Sequence, residues 1–173
     1  MNRQALFPIL FSFTFLVSAL SPSITRHFRA NPDETYCNER FEFCAQIPNG
    51  YFTETIYADN GDGVILNGRK NRLTTLINGA YNIESFSAEE LARQLLGDEV
   101  EPIFTERGFT ATYKTENILH HQRVHMMGDR YVSVMVQGDK RYNRSIFRIA
   151  DQIEVEYQPG MATNAGVEKV SNL

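Results

Sequence analysis

With 173 residues, 42% of them hydrophobic and 22% charged, the chain has the composition of one globular domain long enough to bury a core. Its formal net charge of −4 and the absence of an arginine-rich run or basic tail exclude a general electrostatic pull toward nucleic acid or anionic lipid. Twelve phenylalanines and eight tyrosines against no tryptophan leave the aromatic part of the core to Phe and Tyr.

Arg3 precedes an uncharged run over 5–20, broken by Pro8, Ser12 and Thr14. A positive start, a short apolar middle and small residues around Ala19 predict a secretory signal peptide over 1–19. The run falls short of the ~20 residues a spanning helix needs, and no cysteine follows it to carry a lipid. The expected product is an exported, soluble protein, periplasmic or extracellular, with no stable membrane anchor after cleavage. Loss of Arg3 takes its charge from −4 to −5. Residues 20–35, with Asn31-Pro32-Asp33, form a polar leader to a single α+β domain over 36–157.

Residues 36–48 hold both cysteines and the cleanest strand pattern. Phe41, Phe43, Ala45 and Ile47 alternate with Glu42, Cys44 and Gln46, so a strand here buries the first set and turns the second outward, until Pro48 ends it. A turn at Glu39-Arg40 would fold residues 36–38 back and set Cys37 opposite Cys44, close enough for a disulfide. The alternative is two unpaired, buried thiols. Export favours the bond, because oxidising compartments let it persist.

Asn49-Gly50 turns the chain into an aromatic and branched strand over 51–57. Asp59-Asn60-Gly61-Asp62-Gly63 then breaks it before Val64-Ile65-Leu66. Those five residues invite a calcium reading, but an EF-hand centred on Gly63 would need ligands at Ala58 and Arg69, which supply none. Asn67-Gly68 signals a hairpin into a strand over 72–78, and 79–86 has the turn residues of a loop.

Ser87-Ala88-Glu89-Glu90 is a capping box. Ala88, Leu91, Ala92 and Leu95 follow on one helical stripe, and Gly97 is placed to end the helix. An acidic connector spans 98–106, followed by strands over 109–116, 118–126 and 130–137. The last is apolar on both faces from Tyr131 to Val136, the mark of a central, doubly covered strand. Asp139 opens a second helix with Tyr142, Ile146, Ile149 and Ile153 as its buried stripe, and 158–173 forms a polar, disordered tail. The predicted class is α+β, a mostly antiparallel six- or seven-stranded sheet with two packed helices.

Two motifs carry a resemblance, Tyr-Cys-Asn-x-Arg-Phe-x-Phe-Cys-x-x-x-Pro over 36–48 and Asp-Asn-Gly-Asp-Gly over 59–63. They resemble uncharacterised exported bacterial proteins whose layout looks like the Mog/PsbP-type α/β/α sandwich, a group that includes the Ran-binding Mog protein and the extrinsic PsbP proteins of photosystem II. The resemblance covers roughly 36–153. It implies a non-catalytic exported domain that works by partner binding, and it carries over no ligand or catalytic residue. The chain departs from that pattern at Glu42, where the resemblance implies glycine, and at Gln46-Ile47, where an acidic-aromatic pair is common.

His120, His121 and His125 are the first candidate site. On a helix His121 and His125 would share a face one turn apart and could hold a zinc ion. On the predicted strand His120 faces away from His121, and His125 lies about 13 Å further along, too far for the pair alone to hold one metal. The second candidate is an interaction stripe of Lys140, Arg141, Arg144 and Arg148, a basic face suited to an acidic partner or anionic polymer. No Cys-x-x-Cys, Gly-x-Ser-x-Gly, phosphate loop or His-Glu-x-x-His is present, so no catalytic residue and no cofactor is assigned. The function expected is a non-enzymatic exported binding domain; the alternative is a metal- or anion-binding accessory protein of the cell envelope.

Overall fold

The computed structural model describes residues 34–68 and 72–160. The predicted signal peptide, most of the leader and the tail beyond Gly160 lie outside them. Ten strands and two helices follow in the order β1 (Glu34–Asn38), β2 (Phe43–Ile47), β3 (Phe52–Tyr57), β4 (Gly63–Gly68), β5 (Leu73–Tyr81), α1 (Ala88–Leu96), β6 (Ile103–Thr105), β7 (Gly108–Thr115), β8 (Ile118–Met127), β9 (Arg130–Asp139), α2 (Asn143–Gln152) and β10 (Val155–Tyr157). Strands β3 to β9 form a seven-stranded sheet in the order β3-β4-β5-β9-β8-β7-β6, and β1-β2-β10 form a second, three-stranded sheet. Every pairing is antiparallel, which gives the α+β class expected.

The alternation over 41–47 holds, with Phe41, Phe43, Ala45 and Ile47 buried. Its hairpin pairs Cys37 with Cys44, and the two are joined by a disulfide across a Cα–Cα distance of 4.0 Å. The sequence separation is 7 residues, so closing the loop restricts the unfolded chain by about 2.5 kcal/mol. Replacing both cysteines by serine is expected to lower unfolding stability by about that amount. Intact mass should show two alkylated thiols only after reduction; labelling without reductant would refute the bond.

This hairpin corrects one expectation: it is not the first strand of a single meander. β2 pairs on its other side with β10, a strand absent from the sequence reading, and β1 begins inside the segment taken as leader. Glu42 explains how the far end of the chain is held. It sits at φ 53, the left-handed region that costs a residue with a Cβ roughly 1 kcal/mol relative to glycine. Glycine is what the resemblance implied there. The glutamate carboxylate instead accepts from Arg130 Nη1 at 2.6 Å, from the Gly160 amide at 3.0 Å and from the Tyr157 hydroxyl at 3.2 Å. These bonds, the Gly160 amide foremost, hold the carboxyl below its ordinary pKa. Residues 158–160, placed by sequence in the disordered tail, are thus tied to the hairpin, with the Gln158 amide donating to the Glu42 carbonyl.

One face of the large sheet carries Leu66, Ile77, Val132, Val134 and Val136. The small sheet and α2, with Ile146, Ile149, Ala150 and Ile153, cover that face as one layer and close the main core. α1 lies on the opposite face, where Leu91 and Ala92 pack on Phe109 and Val124. Its capping box forms as expected: the Ser87 side chain takes the Glu90 amide, Glu90 takes the Ser87 amide, and Gly97 at φ 78 closes the helix.

Four boundaries differ from the sequence reading. Asn67 and Gly68 are strand residues, Asn67 pairing with Thr74, so the turn falls after them. β5 runs on through Gly79 to Tyr81, because nine consecutive pairs with β9 hold it. The acidic connector contains the edge strand β6. Asp139 caps a 3-10 turn over Lys140–Tyr142 before α2 begins at Asn143.

Candidate functional site

Register decides which side chains meet on the sheet. β9 is central, as its pattern implied, and Val132, Val134 and Val136 face the core. The other face of β9 is covered by α1 toward Tyr131 and is buried as far as Ser133; beyond it Met135, Gln137 and Asp139 are only partly buried, and no helix covers this more open face among the described residues. Two rows cross this open face at right angles to the strands. One is largely aliphatic: Ile56, Ile65, Leu76, Met135, Gln122 and Ala111 lie opposite one another in turn. The neighbouring row, two residues along each strand, is polar: Glu54, Asn67, Thr74, Gln137, His120 and Tyr113. Asn67 donates to Glu54 at 2.9 Å, Thr74 to Asn67 at 3.2 Å, and the His120 and Tyr113 rings stack at 4.8 Å and 6°. Cross-strand pairs of this kind stiffen an uncovered face.

The polar row ends in a groove of about 730 Å³, bounded by the 3-10 turn. Arg72 and Asp139, neighbours in register through Leu73 and Gly138, form its far side. Arg141 grips Asp139 through Nε at 3.0 Å and Nη2 at 2.9 Å, and its own amide bonds the same carboxylate. That grip holds Asp139 below the ordinary carboxyl pKa and raises Arg141. The Tyr142 ring lies 5.7 Å from the Arg72 guanidinium and 6.0 Å from that of Arg141, within cation–π range of both.

The predicted basic stripe continues from this groove. Lys140, Arg141, Arg144 and Arg148 are all exposed. Arg144 and Arg148 stand one turn apart on α2, Lys140 belongs to the 3-10 turn, and Arg141 is engaged by Asp139. Among the described residues Lys140, Arg144 and Arg148 make no ion pair. Phe147 sits between the two arginines with 37% of its surface exposed and its ring edge on His121.

The three histidines lie on a strand, with His120 on the open face and His121 and His125 on the core face. His121 is 7% exposed, and its Nδ1 is 2.8 Å from the Thr112 hydroxyl. Arg123 stands between His121 and His125 on the same face and donates to the Ala150 and Ile153 carbonyls at the end of α2. Burial, reinforced by Arg123 and Arg107, pushes His125 down to about 4; burial also lowers His120 and His121. No group of three or more His, Cys, Asp or Glu side chains converges among the described residues. In the loop before β4, the Asp62 carboxylate is taken by Arg40 and Asn60, each at 2.6 Å.

Arg72, Thr74, Gln137 and Tyr142 were missed as site residues by sequence reasoning. Only the β5–β9 pairing brings Arg72 beside Asp139 and Tyr142, and no local pattern announces it.

No family model and no curated protein matches the chain. Among solved structures it is similar to the cyanobacterial PsbP protein, CyanoP, of Synechocystis sp. PCC 6803, at 10% identity over 81% of this chain and 99% of that one, with a TM-score of 0.48. It is similar also to a protein of Bacteroides thetaiotaomicron VPI-5482, at 9% identity over 73% of this chain, TM-score 0.48, and spans 49% of that protein's length.

Proposed function

We propose that this chain acts outside the cytoplasm as a non-enzymatic binding domain, and that it docks an acidic partner segment on the basic face of α2 and the turn before it. Support for the compartment comes from the Cys37–Cys44 disulfide, a bond that persists in oxidising surroundings. The observation that carries the docking reading is the set of three exposed cations, Lys140, Arg144 and Arg148, without a carboxylate partner among the described residues of an acidic protein. Exposed Phe147 between two of them supplies an apolar anchor inside a charged rim, the pattern of side chains that dominate binding energy. Clustered like charges steer an oppositely charged partner and make its affinity fall with salt.

A fluorescein-labelled polyglutamate peptide tests the reading. Saturable binding at low salt is expected, weakening as salt rises. The triple variant Lys140→Glu, Arg144→Glu, Arg148→Glu should lose at least about tenfold in affinity. Arg93→Glu, on α1 across the sheet, should leave it unchanged. Absence of binding, or equal loss in both variants, would reject the surface.

A further inference from the structure

The geometry points to a second site, distinct from the docking face: the groove at the end of the polar row takes a small organic anion, a carboxylate or phosphate monoester with a flat apolar body. Its charge arrangement favours an anion. Arg72 makes no ion pair among the described residues, and its guanidinium is poised against the Tyr142 ring. Both Asp139 oxygens are occupied by Arg141, so that carboxylate is already balanced within the groove, while Nη1 of Arg141 takes no part in the grip. Glu116, exposed at the rim, is the one opposing carboxylate among the lining residues. A fixed guanidinium fork matches the two oxygens of a carboxylate or the face of a phosphate, which a lysine would hold only as a point charge.

The rest of the groove selects for more than charge. Thr74 and Gln137 bring polar groups to the floor from neighbouring strands. His120 beside them lies next to the Gln137 amide, yet neither of its ring nitrogens has a hydrogen bond of ordinary geometry. Ile118, 39% exposed, and the Tyr142 ring give the groove an apolar wall, which bare inorganic phosphate would leave wet. At about 730 Å³ the space has the volume of a small-molecule site, lined mainly by polar and charged side chains with Ile118 and Tyr142 as its apolar part.

Amide and arginine Nε shifts in NMR titrations of the full chain with benzoate, phenyl phosphate and inorganic phosphate decide it. Saturable shifts at Arg72, Ile118 and Tyr142 are expected with benzoate, phenyl phosphate or both, and the stronger of the two identifies the anionic group. Inorganic phosphate should bind at least about tenfold more weakly, and Arg72→Gln should cost roughly tenfold with the spectrum elsewhere unchanged. The double reversal Arg144→Glu, Arg148→Glu on α2, which leaves the turn bounding the groove intact, should retain this binding, so a failed polyglutamate experiment leaves the groove standing and a failed titration leaves the docking face standing. No saturable shift with either aromatic anion, equal binding of inorganic phosphate, or indifference to Arg72→Gln would overturn the site.

Discussion

Phe41→Ala is expected to lower unfolding stability by about 4 kcal/mol, the loss typical of a fully buried phenylalanine that leaves a cavity. Phe41 lies in the hairpin turn, outside any strand, yet is only 2% exposed. Its ring lies 5.1 Å from that of Tyr81 and covers the β5 backbone at Gly79. A Cβ at Gly79 would stand 2.5 Å from the ring and 2.6 Å from the Phe41 Cβ, so the two positions are fitted to each other. The contact explains why β5 carries glycine in mid-strand and how the disulfide hairpin is seated on the large sheet. Phe41→Leu, which refills part of the space, should cost about 1.5 kcal/mol, and Gly79→Ala about 2 kcal/mol, because the hairpin backbone must give way. Urea unfolding with an unchanged slope measures all three. A cost under about 1 kcal/mol for Phe41→Ala would mean that the small sheet is not packed there.

Arg123→Ala is the second large effect, about 3 kcal/mol. Arg123 donates from the core face of β8 to the Ala150 and Ile153 carbonyls, groups the end of α2 leaves without helical partners. A cation there also meets the negative end of the helix dipole, and a charged hydrogen bond removed from a half-buried acceptor costs more than a neutral one. Arg123→Met keeps the apolar stem and should still lose about 2 kcal/mol, separating hydrogen bond and charge from packing. The histidine beside it supplies an independent readout. His125 stays neutral in the folded protein down to about pH 4, while the unfolded chain takes up its proton near pH 6.5. The stability this provides is complete above about pH 6.5 and is lost as the pH falls from there toward 4. Removing Arg123 takes away one of the charges that depress the histidine, so its NMR titration should move upward and the acid-sensitive window narrow. An unmoved His125 titration, or a cost below about 1 kcal/mol, would contradict the placement of the guanidinium.

These two residues mark how far the chain could be read from sequence. Phe41 belonged to a visible alternation that predicted its burial, although it is buried from the hairpin turn and not from a strand. Arg123 carried no such signal. It sits among histidines on a strand whose periodicity was plain, but its partners are carbonyls 27 and 30 residues away. The basic stripe was legible because its spacing is local. The groove was not, because it joins Arg72, just before β5, to Asp139 of β9 across two strands adjacent in the sheet and far apart in sequence.

Alternation, capping and turn chemistry in the sequence alone determined the α+β class, the Cys37–Cys44 facing pair, the start and stop of α1, the strand character of β8 and the burial of Ile146, Ile149 and Ile153, whereas Tyr142, expected in the same stripe, is only partly buried in the 3-10 turn. Only the tertiary structure decided that the disulfide hairpin pairs with β10 in a sheet of its own, that Glu42 clasps residues 157–160, and that α1 covers only part of the large sheet's second face among the described residues. The physical reason is range. Periodicity states which side of a segment is apolar, over a few residues, whereas the element that covers that side is chosen by the packing of the whole chain.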